Sequence, residues 1–282
     1  MNGKTVVITG ATSGIGEAAA LALAGQGARI VFAARDAVKG EVLMGKLTRA
    51  NPDAAHDFIV GELSTLAGMK AAGEALAAKA PKIDVVANNA GAIFDHREVT
   101  ADGLEKTFAV NHMAYFVITE ILWPTLKTGA RIVSTASGAH AMGRVNFDDL
   151  QLEKRYNAGA AYGTSKLFNI LWTRELARRL TGTGVTANCF HPGGGNTGFG
   201  DNTKGVIKTL LSLAGPFMLT PEKGADTLVW LASAPEVQGK TGGYWVKRKL
   251  TQPFAAARDD AAAARLWAES EKIAGLAEAV AA

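Results

Sequence analysis

The sequence holds a single cysteine, Cys189, which excludes an internal disulfide and any thiolate metal cluster. It lies in an apolar, strand-like run and reads as an inert core thiol. No group of His, Asp and Glu has metal-ligand spacing, so no catalytic metal is expected. Long apolar runs are also missing. The nearest approach, 206–219, is broken by Lys208 and by Gly215-Pro216, short of the ~18–20 residues a membrane span needs. The amino terminus enters a buried strand pattern at Thr5-Val6-Val7-Ile8 without a signal-peptide layout. These absences predict a cytoplasmic protein with no membrane span. Dense Lys or Arg runs are lacking as well, and the formal charge of +4 is scattered, which argues against a nucleic-acid partner. No period of about 20–50 residues recurs, so repeat architectures are set aside.

What remains is a globular chain of 282 residues, 48 % hydrophobic and 20 % charged. A chain of this length can bury roughly 70–75 % of its unfolded surface. Short apolar runs at 6–9, 29–34, 57–60, 84–87, 131–135 and 185–190 read as buried strands, with a seventh at 243–246. Helix-like segments cover 15–26, 37–50, 66–79, 101–126 and 161–181, and a last one covers 259–276. This alternation predicts one α/β domain over 1–282, a doubly wound, mostly seven-stranded parallel sheet with helices on both faces.

The first strand runs into Gly10-Ala11-Thr12-Ser13-Gly14-Ile15-Gly16, followed at once by an alanine-rich helix. Glycines allow the tight turn and the close approach of a pyrophosphate, and a helix amino terminus presents free N–H groups to it. This placement predicts a Rossmann-type dinucleotide site. At the end of the second strand an acidic side chain would favour NAD, whereas a cation suits the 2′-phosphate of NADP. Ala34 stands where the acid is expected and Arg35 follows, so NADP is preferred and NAD remains possible. The competing assignment makes Arg35 a solvated residue and Asp36 the ribose ligand.

Tyr162 and Lys166 are four apart on a helical pattern and so share one face. A neighbouring ammonium stabilises a phenolate, which would bring the tyrosine from near 10 towards the working pH. Ser137 ends the fifth strand, where a parallel sheet delivers side chains to a ligand crevice, with Ser134 as its rival. Asn111 is an amide inside an apolar helix and must find partners; it is read as holding a water and backbone groups in a proton relay. His112 and His191 read as structural, while His140 follows the serine loop, within reach of a substrate. Trp172, Trp230 and Trp267 read as core anchors.

With TGATSGIG at 9–16, NNAG at 88–91, Asn111, Ser137, YGTSK at 162–166 and Pro192-Gly193 with Thr197, the chain resembles the short-chain dehydrogenase/reductases over nearly its whole length. It is similar in particular to their retinol-dehydrogenase-like branch, through AARD at 33–36, DGLEKTFAVNH at 102–112, TRELARRL at 173–180 and RLWAESEKIAGL at 265–276. The resemblance implies a catalytic set of Asn111, Ser137, Tyr162 and Lys166. It implies cofactor contacts from Gly10, Thr12, Ser13, Gly14, Ile15, Gly16, Arg35, Glu62, Leu63, Asn89, Ala90, Gly91, Tyr162, Lys166, Pro192, Gly193, Gly195 and Thr197. Two departures stand out: Glu62 replaces the family's usual Asp, and Gly194-Gly195-Asn196 follows Pro192-Gly193 where a branched apolar residue is usual.

The function so implied is hydride transfer between NAD(P) and a hydrophobic alcohol or carbonyl, with Tyr162 as general acid/base. A lid around 198–220 would roof the substrate, and a homo-oligomer is possible. Two alternatives keep the fold: reduction of an activated carbon–carbon double bond, and a cofactor-binding sensor without turnover.

Overall fold

The computed structural model describes residues 1–193 and 220–276. Apolar, β-branched segments form β1 (Thr5–Thr9), β2 (Arg29–Ala34), β3 (Asp57–Val60), β4 (Ile83–Asn88), β5 (Leu126–Thr135), β6 (Thr186–His191) and β7 (Tyr244–Val246). These pair in parallel, in the order β3-β2-β1-β4-β5-β6-β7. An eighth strand, β8 (Lys249–Leu250), folds back antiparallel on β7. Among the described residues the sheet therefore has the seven parallel strands expected and one further, antiparallel strand at its edge. Two exposed residues carry no alternating pattern, and only their pairing with Trp245 and Val246 makes them a strand.

Helices α1 (Gly14–Gly25), α2 (Ala37–Ala50) and α3 (Leu66–Lys79) follow the first three strands, close to their predicted bounds. The predicted helix 101–126 is interrupted. It comprises α4 (Lys106–Phe108), a π turn (Ala109–Met113) and α5 (Ala114–Leu122), and it ends at a 3-10 turn containing Pro124. Residues 101–105 are not helical, because the Glu105 carboxylate caps the start of α4 through the N–H groups of Thr107 and Phe108. Helix α6 (Ala158–Arg179) begins at an Asn157 cap. Helix α7 (Pro221–Ser233), which carries Trp230, starts with a Thr220 cap and Pro221 in its first turn, and α8 (Asp260–Ala274) ends on the left-handed Gly275.

Each face of the sheet carries its own apolar core. One joins β-strand residues to α1, α2 and α7 through Leu23, Phe32, Leu43 and Leu228. The other joins them to α3, α5, α6 and α8 through Leu76, Phe116, Trp172 and Trp267. Because β1 is flanked by β2 on one side and β4 on the other, the connections run in opposite directions from it. A crevice opens at the carboxyl ends of β1 and β4. Among the described residues no helix is long and apolar enough to cross a membrane. The expected lid, 198–220, lies outside the described residues apart from Thr220.

Candidate active site

The crevice is a cleft of about 500 Å³ that follows the strand ends from β2 to β6. Its floor at one end is the turn after β1. There the chain passes so close to its neighbours that side chains do not fit: a Cβ on Gly16 would stand 2.0 Å from the Gly10 carbonyl oxygen, and one on Gly10 2.7 Å from the Ala90 Cα. Gly10, Thr12, Ser13 and Ile15 line the cleft, while Gly14 and Gly16 do not. Helices α2, α3, α6, α7 and α8 each have a side chain capping their amino terminus, but α1 has none. Its leading N–H groups are therefore left for something else, and an anion is the natural partner.

Farther along, Ala33, Ala34, Arg35, Glu62 and Leu63 form the outer wall. Arg35 is exposed to the cleft. The Asp36 carboxylate instead accepts the N–H groups of Val38 (2.8 Å) and Lys39 (3.1 Å) and caps α2, so the competing ribose ligand is already engaged. Glu62 is similarly turned onto its own backbone, where it accepts the N–H of Ser64 at 2.8 Å.

Asn89, Ala90 and Gly91 connect the two ends. The Thr9 hydroxyl accepts the N–H groups of Asn89 and Ala90, while Asn89 Nδ2 donates to the Gly10 carbonyl at 3.1 Å. The Thr135 hydroxyl completes the tie by donating to Asn89 Oδ1 at 3.1 Å. Thus the ends of β1, β4 and β5 are fastened together by side chains that strand pairing alone would not link. The sequence reading missed Thr9 and Thr135; both are β-branched residues that look like ordinary strand formers.

At the inner end stand Ser137, Tyr162 and Lys166. Tyr162 and Ser137 share a hydrogen bond, which pulls the phenol pKa down, but loss of solvation outweighs it and the phenol lies above its ordinary 10. The expectation that Lys166 depresses this pKa is not met. The Lys166 Nζ sits 5.7 Å from the Tyr162 ring centre and donates to the Thr135 carbonyl at 3.0 Å, and its own pKa falls to about 7 through burial. Among the described residues no carboxylate lies beside it, so the buried lysine is not a fixed positive charge.

Behind this group the Asn111 side chain is fully buried. It accepts the Ala92 N–H at 2.7 Å and donates to the Ala92 carbonyl (2.9 Å) and to the Ser165 hydroxyl (3.0 Å). Ser165 in turn donates to the Tyr162 carbonyl at 2.8 Å. The amide therefore braces the 91–92 segment against the tyrosine turn, and the π turn places it there; such bulges recur at functional sites. Gly163 allows the final approach. A Cβ there would be 2.6 Å from the Ala139 carbonyl oxygen, so α6 packs bare backbone against the 3-10 turn Gly138–Met142 that follows Ser137.

The rival residues fall elsewhere. Ser134, within β5, is fully buried and does not line the cleft. Cys189 is buried, its thiol pushed up to about 12 by loss of solvation. His112 is also buried and bonded to Ser270 at 2.9 Å, with its pKa lowered to about 3. Trp172 and Trp267 are core residues, whereas Trp230 is half-buried and donates to Glu236 at 2.9 Å. Among the described residues no group of His, Cys, Asp and Glu could hold a metal. Pro192 and Gly193 line the cleft, while Gly195 and Thr197 lie outside the described residues.

Comparison with known proteins gives a consistent outcome. A family model described as short chain dehydrogenase matches residues 4–205. Human retinol dehydrogenase 14 is 40 % identical, over 98 % of this chain and 88 % of its own. A protein of Streptomyces sp. (strain C5), named as a candidate daunorubicin C-13 ketoreductase, DnrU, is 42 % identical over 97 % of this chain and 93 % of its own. Among solved structures, a protein of Mycobacterium paratuberculosis superposes with a TM-score of 0.77 at 32 % identity, covering 97 % of this chain and 94 % of that one. A short chain dehydrogenase of Burkholderia cenocepacia, solved with NADP, has a TM-score of 0.70 over 87 % of this chain and 96 % of its own; at 24 % identity it shares the fold.

Proposed function

Because this chain belongs to the short-chain dehydrogenase family, and is thereby an NAD(P)-dependent oxidoreductase interconverting alcohols and carbonyls, we propose that it prefers NADP, acts on a hydrophobic substrate and uses Tyr162 as its proton-transfer residue. The observation that carries the reading is the meeting of Ser137, Tyr162 and Lys166 at one end of a cleft whose other end is a glycine turn before an uncapped helix.

The cleft suits a dinucleotide. The free N–H groups of α1 would hold its pyrophosphate, and Arg35 would pair with a 2′-phosphate that Asp36, committed to α2, does not compete for. When bound, the nicotinamide supplies or accepts the hydride. In carbonyl reduction Ser137 and Tyr162 would donate hydrogen bonds to the substrate oxygen, and Tyr162 would transfer its proton to that oxygen. The raised phenol pKa keeps this proton in place at neutral pH. Lys166, anchored on Thr135, would take a proton most readily when the neighbouring phenolate forms, because the new negative charge offsets the cost of its own burial. In oxidation the same groups work in reverse.

Phe94, Ala92 and Ala139 flank the inner end of the cleft and offer apolar contact. The relatives named for retinol and daunorubicin also favour a bulky, largely apolar substrate. The test is a panel of hydrophobic aldehydes and ketones read by consumption of NADPH and NADH, with product analysis to separate alcohol formation from saturation of a double bond. Tyr162→Phe in the same assay should bind NADPH normally and lose turnover by roughly 10²–10⁴. Turnover close to wild type would assign proton transfer to another group.

A further inference from the structure

Beyond β5 the chain leaves the strand ladder at the residue that bears the reactive hydroxyl. The Ala136 N–H still pairs with Phe190, but two peptide units further on, the carbonyl of Ser137 and the N–H of Gly138 have no strand partner among the described residues. Two imidazoles take it instead. His140 Nδ1 lies 2.6 Å from the Ser137 carbonyl oxygen, and since that oxygen only accepts, the ring nitrogen carries the proton. The other ring nitrogen of His140 is then an acceptor and receives the Phe254 N–H at 3.3 Å. His191 Nδ1 accepts the Gly138 N–H at 3.0 Å and the Gly193 N–H at 3.4 Å, which places its proton on Nε2.

We infer that His140 and His191 form a clamp on the Ser137–Gly138 peptide and act as positioning residues for the Ser137 hydroxyl. The two rings hold opposite ends of one planar unit, so together they fix its rotation, which neither could do alone. That rotation decides where the Ser137 hydroxyl points. The Ser137 Oγ accepts the Ala139 N–H at 3.2 Å, leaving the hydroxyl to face Tyr162. Each ring is itself held. His140 is buried, edge-on to Tyr244 at 5.2 Å and Phe254 at 5.4 Å. His191 lies against Gly138 so closely that a Cβ there would be 3.1 Å from its Nε2. The clamp also ties Ser137 to Gly193 and to the carboxyl-terminal segment through Phe254, far apart in sequence. Burial holds both imidazoles below their usual range, and His140 opposes a proton on His191, so the neutral tautomers the clamp needs prevail at neutral pH.

The inference rests on the proposed role of Ser137, so Ser137→Ala is measured alongside. His191→Ala should lower kcat by about ten- to a hundredfold, the scale of a misplaced reacting group, with KM and NADPH affinity changing less than about threefold. His191→Asn should recover most of that loss, because its Oδ1 can stand where Nδ1 accepted. His191→Gln, which fills the ring volume but carries its amide farther out, should stay as impaired as the alanine variant, and it answers the question if His191→Ala does not fold. The double variant His140→Ala/His191→Ala should lose little more than the worse single one, as expected for two groups acting on one peptide. A His191→Ala kcat within about threefold of the parent, or equal impairment of the Asn and Gln variants, would overturn the clamp. If Ser137→Ala itself keeps its kcat, the reading of the site fails; if Ser137→Ala collapses and His191→Ala does not, the clamp alone fails.

Discussion

At the scale of single residues, charge placement separates what the cleft holds from what it repels. Arg35 faces the cleft while Asp36 is committed to its helix, so the discrimination between cofactors should rest on one guanidinium. Arg35→Ala should weaken NADPH by on the order of 1.5–3 kcal/mol, the cost of a lost charge-assisted hydrogen bond, and leave NADH nearly unchanged. Titration of both cofactors by fluorescence checks this, and equal losses would return Asp36 to consideration. Lys166 presents the opposite situation, a buried amine with no counter-charge among the described residues, its pKa lowered to about 7. The unfolded chain keeps this proton up to about 10.4 whereas the folded chain releases it near 7, so between these values the unfolded state binds more protons and stability rises with pH. Lys166→Met should therefore melt higher than the parent at pH 7 without cofactor, and the gap should narrow as the pH approaches 10. A gap independent of pH would mean the lysine is not desolvated in solution.

At the scale of elements, the site depends on places where regular structure is bare or broken. Helix α1 keeps its first N–H groups uncapped, the π turn carries Asn111 inward, and α6 drops its side chains at Gly163 to receive the serine turn. The last of these gives a direct test. In Gly163→Ala the new methyl meets the Ala139 carbonyl, so the turn after Ser137 must move away from the tyrosine. Overpacking of this kind costs about 1–3 kcal/mol, and the displacement should appear as a loss of kcat larger than the loss of stability accounts for. A variant with full activity and a lowered Tm would show that the turn tolerates the shift.

Across the whole molecule the cleft is held by the sheet it ends, and the sheet by two cores of different construction. On the side that backs the tyrosine, α8 lies over α6 and closes the layer. Its Trp267 is buried edge-on to Phe116 at 5.1 Å, with the Arg179 guanidinium 4.4 Å above the ring. Ser270 on the same helix reaches His112, the neighbour of Asn111. Trp267→Ala should cost about 3–5 kcal/mol, read as a fall in the urea midpoint, and should impair activity through global unfolding while catalysis by the folded fraction persists. A small change would mean that α8 is a loosely held appendage.

The sequence alone determined the parts whose cause is local. Continuous apolar runs such as 29–34 have no polar face to expose and so must become buried parallel strands, and the helical spacing over 37–50 and 66–79 places α2 and α3. The glycine turn and the Tyr162–Lys166 pair were legible for the same reason, since backbone clearance and helical spacing are short-range properties. Tertiary structure decided the rest. Strand β8 exists only through its pairing with β7, and the partners of Asn111 are set by which segments the fold brings within 3 Å of its amide. The Lys166 pKa is another case: four residues of spacing suggested an ammonium beside a phenol, but burial lowers the amine to about 7. Desolvation depends on everything packed around a group, so it cannot be read from the residues beside it in the chain.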